Sequence, residues 1–269
     1  MTLKRYQKSP KAIALMREAC RLAADVLVMI EPYVQPGTTT AELNERCHDY
    51  MVNTLNVIPA PLDYRGFPKS ICTSINHVIC HGIPNEKPLK EGDILNIDVT
   101  VIHEGYHGDT SRMFAVGKPS IKAQRLMDIS QQALYLGIQM VKPGASLKAI
   151  GRAIEQFALK HRFTSVHEYC GHGIGLDFHE SGFQVLHYHE RSGQDQILLP
   201  GLTFTIEPMI NAGKRHVRLH DDGWTVTTKD RSLSSQWEHT LLVTESGVEV
   251  LTLRPCEHIP QITNHPIKD

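Results

Sequence analysis

Two short stretches of this sequence, Gly92-Asp-Ile-Leu-Asn-Ile-Asp98 and Gly201-Leu-Thr-Phe-Thr-Ile-Glu207, share one pattern: a glycine, then alternating side chains, then an acid. A second pair, Val34-Gln-Pro-Gly-Thr-Thr-Thr-Ala-Glu-Leu43 and Val141-Lys-Pro-Gly-Ala-Ser-Leu-Lys-Ala-Ile150, has a Pro-Gly turn followed by helical periodicity. The partners are offset by 109 residues (92 to 201) and by 107 residues (36 to 143). Two motifs that recur in the same order predict two related halves, each with helices followed by strands.

The acid that ends each stretch belongs to the polar face of its strand. Successive side chains of a strand point to opposite faces, so Asp98 shares a face with Asn96 and Thr100. Glu207 occupies the equivalent position in the second half. A solvated strand face would explain either acid alone. Two buried carboxylates that converge would repel each other unless a cation lay between them, so the matched pair predicts a metal site where the halves meet.

Three further residues have the chemistry of metal ligands. They are Asp109 in His107-Gly-Asp-Thr-Ser-Arg112, Glu238 in Gln236-Trp-Glu-His-Thr240, and His172 in Glu168-Tyr-Cys-Gly-His-Gly-Ile-Gly175. The glycines around His172 permit close approach of the backbone. Four carboxylates and one neutral imidazole balance the charge of two divalent cations. Such a donor set favours Mn, Fe or Co, or Zn by occupancy, over a thiolate zinc site.

Composition excludes several classes of protein. A chain of 269 residues with 41% apolar residues is typical of a globular protein with a large core. Its 28 Lys and Arg balance 29 Asp and Glu, so no bulk charge attracts nucleic acid or a membrane surface. The most apolar stretch, 22–30, is too short to span a bilayer. Six cysteines without a C-x-x-C pair, and no export signal, predict reduced thiols in the cytoplasm.

Capping residues and periodicity predict the secondary structure. Helices are predicted to begin at Ser9-Pro10, with an end near Pro32, at the Thr39/Glu42 capping box, at Ser120 and at Ser146. Strands are predicted at 93–102, 202–207, 239–243 and 248–253, and a loop at 178–200. We therefore expect one α+β catalytic domain over 1–269, with its first helix from about residue 9. Its halves would cover about 9–118 and 119–253, followed by a tail at 254–269.

Many segments, taken in order, resemble type I methionine aminopeptidases of the bacterial short form, in metallopeptidase family M24. The resemblance runs from about Ser9 to Leu253 and is densest at Tyr64-Arg-Gly-Phe-Pro-Lys-Ser70, Ile71-Cys-Thr-Ser-Ile-Asn76, Cys80-His-Gly-Ile-Pro84, Asn96-Ile-Asp-Val-Thr100, Gly108-Asp-Thr-Ser-Arg112, Glu168 to Gly175, Phe204-Thr-Ile-Glu-Pro-Met209, Asp222-Gly-Trp-Thr-Val226 and Trp237-Glu-His-Thr240. It implies the pita-bread fold, an α+β fold with two pseudo-twofold halves around a central antiparallel sheet. The internal repeat agrees with this.

The resemblance also implies roles for individual residues. The metal ligands would be Asp98, Asp109, His172, Glu207 and Glu238, with Asp109 and Glu238 bridging two divalent ions. Cobalt, manganese, iron, zinc and nickel are the candidate ions. His81 and His179 would flank the scissile amide, and Glu207 would also transfer protons. The methionine pocket would be formed by Tyr64, Phe67, Cys72, Phe178 and Trp224.

The sequence departs from its relatives at three places near this site. Ser181-Gly182-Phe183 replaces a Glu-x-Pro pattern and is one residue longer, Pro61 stands where bacterial relatives often have Cys, and Phe67 stands where they have Tyr. The remaining histidines are predicted to lie on the surface or in packing positions. His239 is predicted to form core hydrogen bonds, and Cys170 to be a buried thiol that is not a nucleophile.

The function implied is removal of the initiator methionine from nascent polypeptides that have a small second residue. The expected enzyme is a monomer that works near the ribosome, without a nucleic-acid motif of its own and without a membrane partner. Two alternatives remain: another pita-bread hydrolase of the X-Pro aminopeptidase or prolidase type, and a non-catalytic binding relative. The first usually carries a large extra N-terminal domain, and the second has lost metal ligands.

Overall fold

A computed structural model describes residues 3–255 and 257–260. In these residues the α-helices are α1 (Pro10–Ile30), α2 (Thr40–Asp49), α3 (Ile121–Gln139) and α4 (Lys148–Lys160). The strands are β1 (Ile58–Pro59), β2 (Cys72–Ile75), β3 (Val78–Cys80), β4 (Ile94–His103), β5 (Tyr106–Ala115), β6 (Thr164–Ser165), β7 (Gly171–Gly173), β8 (Glu180–Val185), β9 (Thr203–Ile206), β10 (Met209–Asn211), β11 (Val217–Leu219), β12 (Val226–Thr228), β13 (Ser234–Gln236), β14 (His239–Val243) and β15 (Val248–Val250). No helix within the described ranges has the length and apolar character needed to cross a bilayer.

Three of the four predicted helix starts are confirmed by their caps. The Ser9 hydroxyl accepts a hydrogen bond from the Ala12 amide at 3.2 Å, and the helix α1 ends shortly before Pro32. Thr39 and Glu42 form a reciprocal capping box at the start of α2. The Ser120 side chain caps α3. Each cap satisfies an amide that has no partner within its helix.

The predicted start at Ser146 is wrong in its detail. The helix α4 begins at Lys148, and Leu147 occupies the cap position without a side-chain hydrogen bond. Ser146 instead forms an isolated bridge with Ile197. A long-range backbone contact thus takes the place of the local cap.

The strand predicted at 93–102 is confirmed as β4, shifted by one residue. β4 pairs along its whole length with β5 and on its other edge with β1 and β2, always antiparallel. Its apolar side chains, Leu95, Ile97, Val99 and Val101, are fully buried in a cluster with residues of α1 and α2. The opposite face carries Asn96, Asp98 and Thr100, as the alternation predicts.

The second half repeats this arrangement with a five-stranded sheet in the order β15-β14-β9-β7-β8. The strands predicted at 202–207 and 239–243 are confirmed, while the strand predicted at 248–253 ends at Val250. Phe204 and Ile206 of β9 are buried in a second cluster, with residues of α3 and α4. The polar faces of β4 and β9 therefore point away from their own cores.

The loop predicted at 178–200 is wrong over 180–185, where Glu180–Val185 forms the edge strand β8. β8 pairs with β7, and the register shifts from His172↔Gln184 to Gly173↔Glu180. The intervening residues, 181–183, bulge from the ladder, with Gly182 at φ 83° and Phe183 buried. The segment that departs from its relatives is thus accommodated as a bulge.

Two of the sequence-based predictions, the tail at 254–269 and the six reduced cysteines, include residues outside the described ranges. The tail predicted at 254–269 is described at 254–255 and 257–260, and Cys256 and residues 261–269 lie outside the described ranges. Within those ranges the free thiols are Cys20, Cys47, Cys72, Cys80 and Cys170. The division into halves at 118/119 stays a prediction.

Candidate active site

A cavity of about 430 Å³ opens between the polar faces of the two sheets. All twelve residues singled out from the sequence line it: Tyr64, Phe67, Cys72, His81, Asp98, Asp109, His172, Phe178, His179, Glu207, Trp224 and Glu238. Pro61 lies on the same wall. Residues from both halves therefore meet in one place, and the roles expected of them can be examined against their geometry.

The hairpin of β4 and β5 presents two of the acids. Asp98 lies opposite Cys72 on one neighbouring strand and opposite Ser111 on the other. Asp109 lies opposite Thr100, whose Oγ1 donates a hydrogen bond to Asp109 Oδ1 at 2.9 Å. The hydrogen bond fixes one oxygen of Asp109 and leaves Oδ2 directed to other partners.

His172 and Glu207 are joined through one threonine. The backbone amide of His172 donates to Thr205 Oγ1 at 3.0 Å, and this hydroxyl donates to Glu207 Oε1 at 3.0 Å. Gln236 Nε2 donates to the second oxygen of Glu207 at 3.1 Å. His172 Nε2 lies 3.5 Å from Asp109 Oδ2 and 3.6 Å from Glu207 Oε1. The imidazole therefore stands between carboxylates of the two halves.

The fourth acid, Glu238, lies between β13 and β14. Its amide donates to Ser111 O at 3.2 Å, and its carbonyl accepts from Thr110 Oγ1 at 2.8 Å. Ligand atoms of Asp109, His172 and Glu238 all lie within 4.8 Å of one another. These contacts anchor Glu238 to β5, next to Asp109.

The crowded carboxylates resist ionisation. Burial raises the pKa of Asp98 well above its ordinary value, and the charges of Asp109 and Glu207 raise it further. Burial also raises the pKa of Glu238 well above its ordinary value, and the charges of Asp109, Glu207 and Asp98 raise it further. Burial raises the pKa of Glu207 to about 7. A divalent cation would offset the repulsion between these carboxylates and favour their ionised forms. Oxygen donors with one imidazole suit such a cation.

His172 is oriented as a ligand would be. Its Nδ1 lies 3.2 Å from Gly173 O, which directs Nε2 toward the carboxylates. Burial opposes its charged form, but the hydrogen bond to Asp109 and the charge of Glu207 outweigh burial and raise its pKa. The flanking glycine is required by space, because a Cβ on Gly171 would lie 2.3 Å from Thr205 O.

Two further histidines flank the cavity as neutral groups. Burial, followed by the nearby His172, lowers the pKa of His179 to about 3. Tyr64 Oη lies 3.0 Å from His179 Nδ1, within hydrogen-bonding distance. Burial also lowers the pKa of His81, whose φ of 55° is left-handed. Such a backbone conformation is uncommon for a histidine and is concentrated at functional sites.

Aromatic rings form the wall next to these histidines. Phe67 meets Trp224 edge-on with centroids 5.1 Å apart, and Tyr64 packs on Phe178 at 5.0 Å. Cys72 is buried and also lines the cavity. The wall is therefore apolar and adjoins the acidic end of the cavity, so a ligand with one apolar and one polar end fits both.

Sequence reasoning missed several residues of the site. The cavity is also lined by Arg65, Cys80, Thr100, Glu168, Tyr169, Cys170 and Met209. Period-2 alternation from Asp98 and Glu207 places Thr100 and Thr205 on the polar faces, and their hydroxyls were the available signal. No local pattern marks His187, a fully buried residue whose Nε2 accepts from the Glu207 amide at 3.2 Å.

Two lesser predictions have clear outcomes. His239 forms a core hydrogen bond as predicted, with Nδ1 2.9 Å from Thr252 Oγ1. Cys170 was expected to be buried, but it is half-buried, because it lines the open cavity. Burial raises the pKa of the Cys170 thiol to about 12, so little thiolate forms at neutral pH.

Comparison with known proteins agrees with this geometry. Residues 14–245 match metallopeptidase family M24. The methionine aminopeptidase of Escherichia coli (strain K12) is 58% identical over 259 residues, which cover 96% of this chain and 97% of the relative. The crystal structure of methionine aminopeptidase from Rickettsia prowazekii has a TM-score of 0.88 at 52% identity and covers 92% of this chain and 99% of that one.

More distant structures share the fold alone. The prolidase from Pyrococcus horikoshii OT3 has a TM-score of 0.70 at 22% identity, and the alignment covers 93% of this chain but 64% of the prolidase. The pita-bread α+β fold expected from the sequence is confirmed, and the methionine aminopeptidases match in sequence and over nearly the whole length, while the X-Pro hydrolases do not. The chain belongs to metallopeptidase family M24 and, within it, to the methionine aminopeptidases, the hydrolases that remove N-terminal methionine.

Proposed function

We propose that the cavity between the two sheets is the active site of this aminopeptidase and that it holds two divalent cations. The observation that supports this most directly is the convergence of four carboxylates and one imidazole beside an aromatic wall. The proposed ligands all line this cavity: Asp98, Asp109, His172, Glu207 and Glu238.

Asp109 and Glu238 would hold the cations together with His172. Both are buried, and their ligand atoms, with that of His172, lie within 4.8 Å of one another. Divalent cations bound there would act as Lewis acids that polarise the peptide carbonyl and make water more acidic. The ligands from both halves would also orient the free α-amine of the substrate, which fits an exopeptidase.

Glu207 is the proposed proton carrier. Its two oxygens accept from Thr205 and Gln236, so the carboxylate is held in one orientation at the cavity edge. In this orientation it can accept a proton from the attacking water and pass it to the leaving amine.

His81 and His179 are proposed to contact the scissile amide. Tyr64 Oη lies 3.0 Å from His179 Nδ1. When the Tyr64 hydroxyl donates to Nδ1, the proton of the neutral ring is on Nε2, and this N–H can donate a hydrogen bond toward the cavity. This N–H would stabilise the developing oxyanion. His81 would hydrogen-bond the nitrogen side of the same bond. Burial lowers the pKa of both rings, so both act as neutral imidazoles at physiological pH.

The aromatic wall is the proposed methionine pocket. Phe67 and Trp224 meet edge-on, Tyr64 packs on Phe178, and Cys72 lines the same cavity. A flexible thioether side chain makes favourable contacts with aromatic rings and a thiol. Nascent polypeptides with a small second residue, handled by a monomer at the ribosome in the cytoplasm, are the proposed physiological substrates.

Metal-stripped protein titrated anaerobically with Mn²⁺, Fe²⁺ and Co²⁺ tests these assignments. Free methionine should be released from Met-Ala-Ser only when metal is present, and Leu-Ala-Ser should not be cleaved. Activity should saturate at about two equivalents of metal. Asp109→Asn should abolish this response, while the matched exposed variant Asp128→Asn should retain it.

Two outcomes would contradict the proposal. Full turnover by the metal-stripped protein, or by Asp109→Asn, would contradict the proposal that the cavity binds catalytic metal. Cleavage of X-Pro peptides in preference to Met-Ala-Ser would contradict the proposal that the aromatic wall binds methionine.

A further inference from the structure

Residues Leu3–Lys8, called here the N-terminal strap, cross the bulge that follows His179. Arg5 Nη2 donates to Ser181 O at 2.8 Å, and Tyr6 Oη donates to the same carbonyl. At its other end the strap is held by the Lys8 amide, which donates to Gly201 O at 2.8 Å. The strap therefore joins the bulge in β8 to the turn that precedes β9.

The strap ends in a buried ion pair. Lys8 Nζ lies 2.6 Å from Glu180 Oε1, and both side chains are only 9% exposed. Lys8 Nζ also donates to Tyr6 O at 2.9 Å. Removing one partner of such a pair leaves a charge uncompensated in a poorly solvated place, so the other partner must reorient. The pair joins residues that are 172 positions apart in the chain.

Two glycines of the Gly-His-Gly-Ile-Gly motif make room for this pair. A Cβ on Gly175 would lie 2.6 Å from Lys8 Cε, and a Cβ on Gly173 would lie 2.4 Å from Phe183 Cδ1 and 2.7 Å from Glu180 Oε2. A side chain at Gly175 would displace the ion pair, and a side chain at Gly173 would press on the Phe183 ring as well as on Glu180. Gly175 is thus explained by the strap, and Gly173 by Phe183 together with Glu180.

Glu180 is placed to control the position of His179. Glu180 directly follows His179 in the chain. It is also the residue of β8 that pairs with Gly173, and Gly173 directly follows His172. The rings of His172 and His179 lie 4.1 Å apart. A shift of the Glu180 side chain would therefore move the peptide from which His179 projects.

We propose that Lys8 is a positioning residue for His179, acting through the buried Lys8–Glu180 ion pair that fixes the start of β8. The inference rests on the proposed role of His179 at the scissile amide. A displacement of the order of 1 Å at a group that contacts the transition state lowers the rate by up to about 100-fold. Substrate binding in the aromatic pocket should change little, because no residue of the strap lines that pocket.

Lys8→Met removes the charge and keeps most of the side-chain length. With Met-Ala-Ser and the metal-loaded enzyme we expect kcat to fall by about 10-fold to 100-fold, with KM within about twofold. Lys8→Arg should restore most of kcat. The matched control is Arg17→Met, which breaks the ion pair of Arg17 with Glu249 at 2.7 Å, also between an N-terminal residue and a distant strand. It should change neither constant.

A second route to the same displacement guards against a folding defect. Gly175→Ala would push the flexible end of Lys8 aside while the charge remains in the protein. It should reproduce the fall in kcat seen in Lys8→Met, in protein that melts cooperatively and binds metal with the affinity of the wild type. A normal kcat in both variants would overturn the inference.

A double-mutant cycle with His179→Ala decides whether Lys8 acts through this histidine. If it does, adding Lys8→Met to His179→Ala should change kcat by less than about twofold. Losses that multiply would overturn the positioning role and leave the assignment of His179 intact. A wild-type kcat in His179→Ala alone would overturn the assignment of His179 and, with it, this inference.

Discussion

Thr100 and Asp109 face each other across the β4–β5 hairpin, and the threonine hydroxyl donates to Asp109 Oδ1 at 2.9 Å. Both residues are almost fully buried. One carboxylate oxygen is therefore fixed by the protein, and the other, Oδ2, faces His172. Outer hydrogen bonds of this kind orient metal ligands and tune their affinity.

Thr100→Val removes this hydroxyl and keeps the side-chain shape. We expect affinity for Mn²⁺ or Co²⁺ to fall by about 10-fold to 100-fold, because Asp109 loses its orientation. Competition with a fluorescent chelator measures this affinity. Thr164→Val is the control, since Thr164 donates to Gly213 O at 2.8 Å in a strand that does not line the cavity. Equal affinities for the two variants would refute the orienting role.

Glu207 should make the metal-free protein less stable as the pH rises. Burial raises its pKa from 4.5 to about 7, so the folded chain binds this proton more tightly than the unfolded chain does. Stability that depends on the proton is present at acid pH and is lost as the pH rises through about 7.

Glu207→Gln isolates this contribution from all other titrating groups. In the presence of chelator, we compare the free energy of unfolding of the variant with that of the wild type. The difference in favour of the variant should be larger at pH 8 than at pH 5 by roughly 2 kcal/mol. Urea unfolding at both pH values gives the comparison. Saturating divalent cation should reverse the order, since the wild type alone offers the carboxylate. A difference that does not change with pH would contradict the raised pKa.

Tyr64→Phe should impair catalysis through His179. The Tyr64 hydroxyl lies 3.0 Å from His179 Nδ1, and a neutral hydrogen bond of this kind contributes about 1 kcal/mol. Its loss corresponds to roughly a fivefold fall in kcat, with little change in thermal stability. Tyr33→Phe, at an exposed tyrosine that stacks on Arg46, serves as the control. If kcat of Tyr64→Phe equals that of the control, this hydrogen bond has no catalytic role.

Arg254 should be important for stability. Its guanidinium is buried, lies 2.7 Å from Glu257 and donates to Thr110 Oγ1 at 3.0 Å. Arg254→Met leaves Glu257 without its cation in a buried place, which should reduce the free energy of unfolding by about 3–5 kcal/mol.

Two further variants test the explanation. The double variant Arg254→Met/Glu257→Gln should recover part of the loss, because no uncompensated charge remains. Arg21→Met, at a 55% exposed helix pair, should cost less than about 1 kcal/mol. Denaturant titration measures all three, and similar losses for Arg254→Met and Arg21→Met would count against a buried-charge effect.

The sequence predicted the parts of the fold that local chemistry controls. The caps at Ser9, Thr39 and Ser120 and the strands that carry Asp98 and Glu207 depend on neighbouring residues, and all of them are found. The two acids fall on the expected polar faces because the alternation of a strand leaves no other choice once the apolar face is buried.

Contacts between distant segments account for most of what was missed. Ser146 forms a bridge with Ile197 and does not cap its helix. β8 exists because β7 lies beside it, and its bulge places Ser181 O against Arg5. His187 has no motif around it, yet it accepts from the Glu207 amide. None of these partners could be inferred from spacing along the chain.

The polar faces of β4 and β9 meet, while each strand is embedded on its other side in a separate apolar cluster. Cations held between ligands of the first half, such as Asp98, and ligands of the second half, such as Glu207, would therefore cross-link chain segments 109 residues apart (98 to 207). Like a disulfide, such a link closes a long loop, and unlike one it can be opened by a chelator. Bound metal would then add to the stability of the folded chain as well as supply catalysis, and a chelator would remove both contributions together.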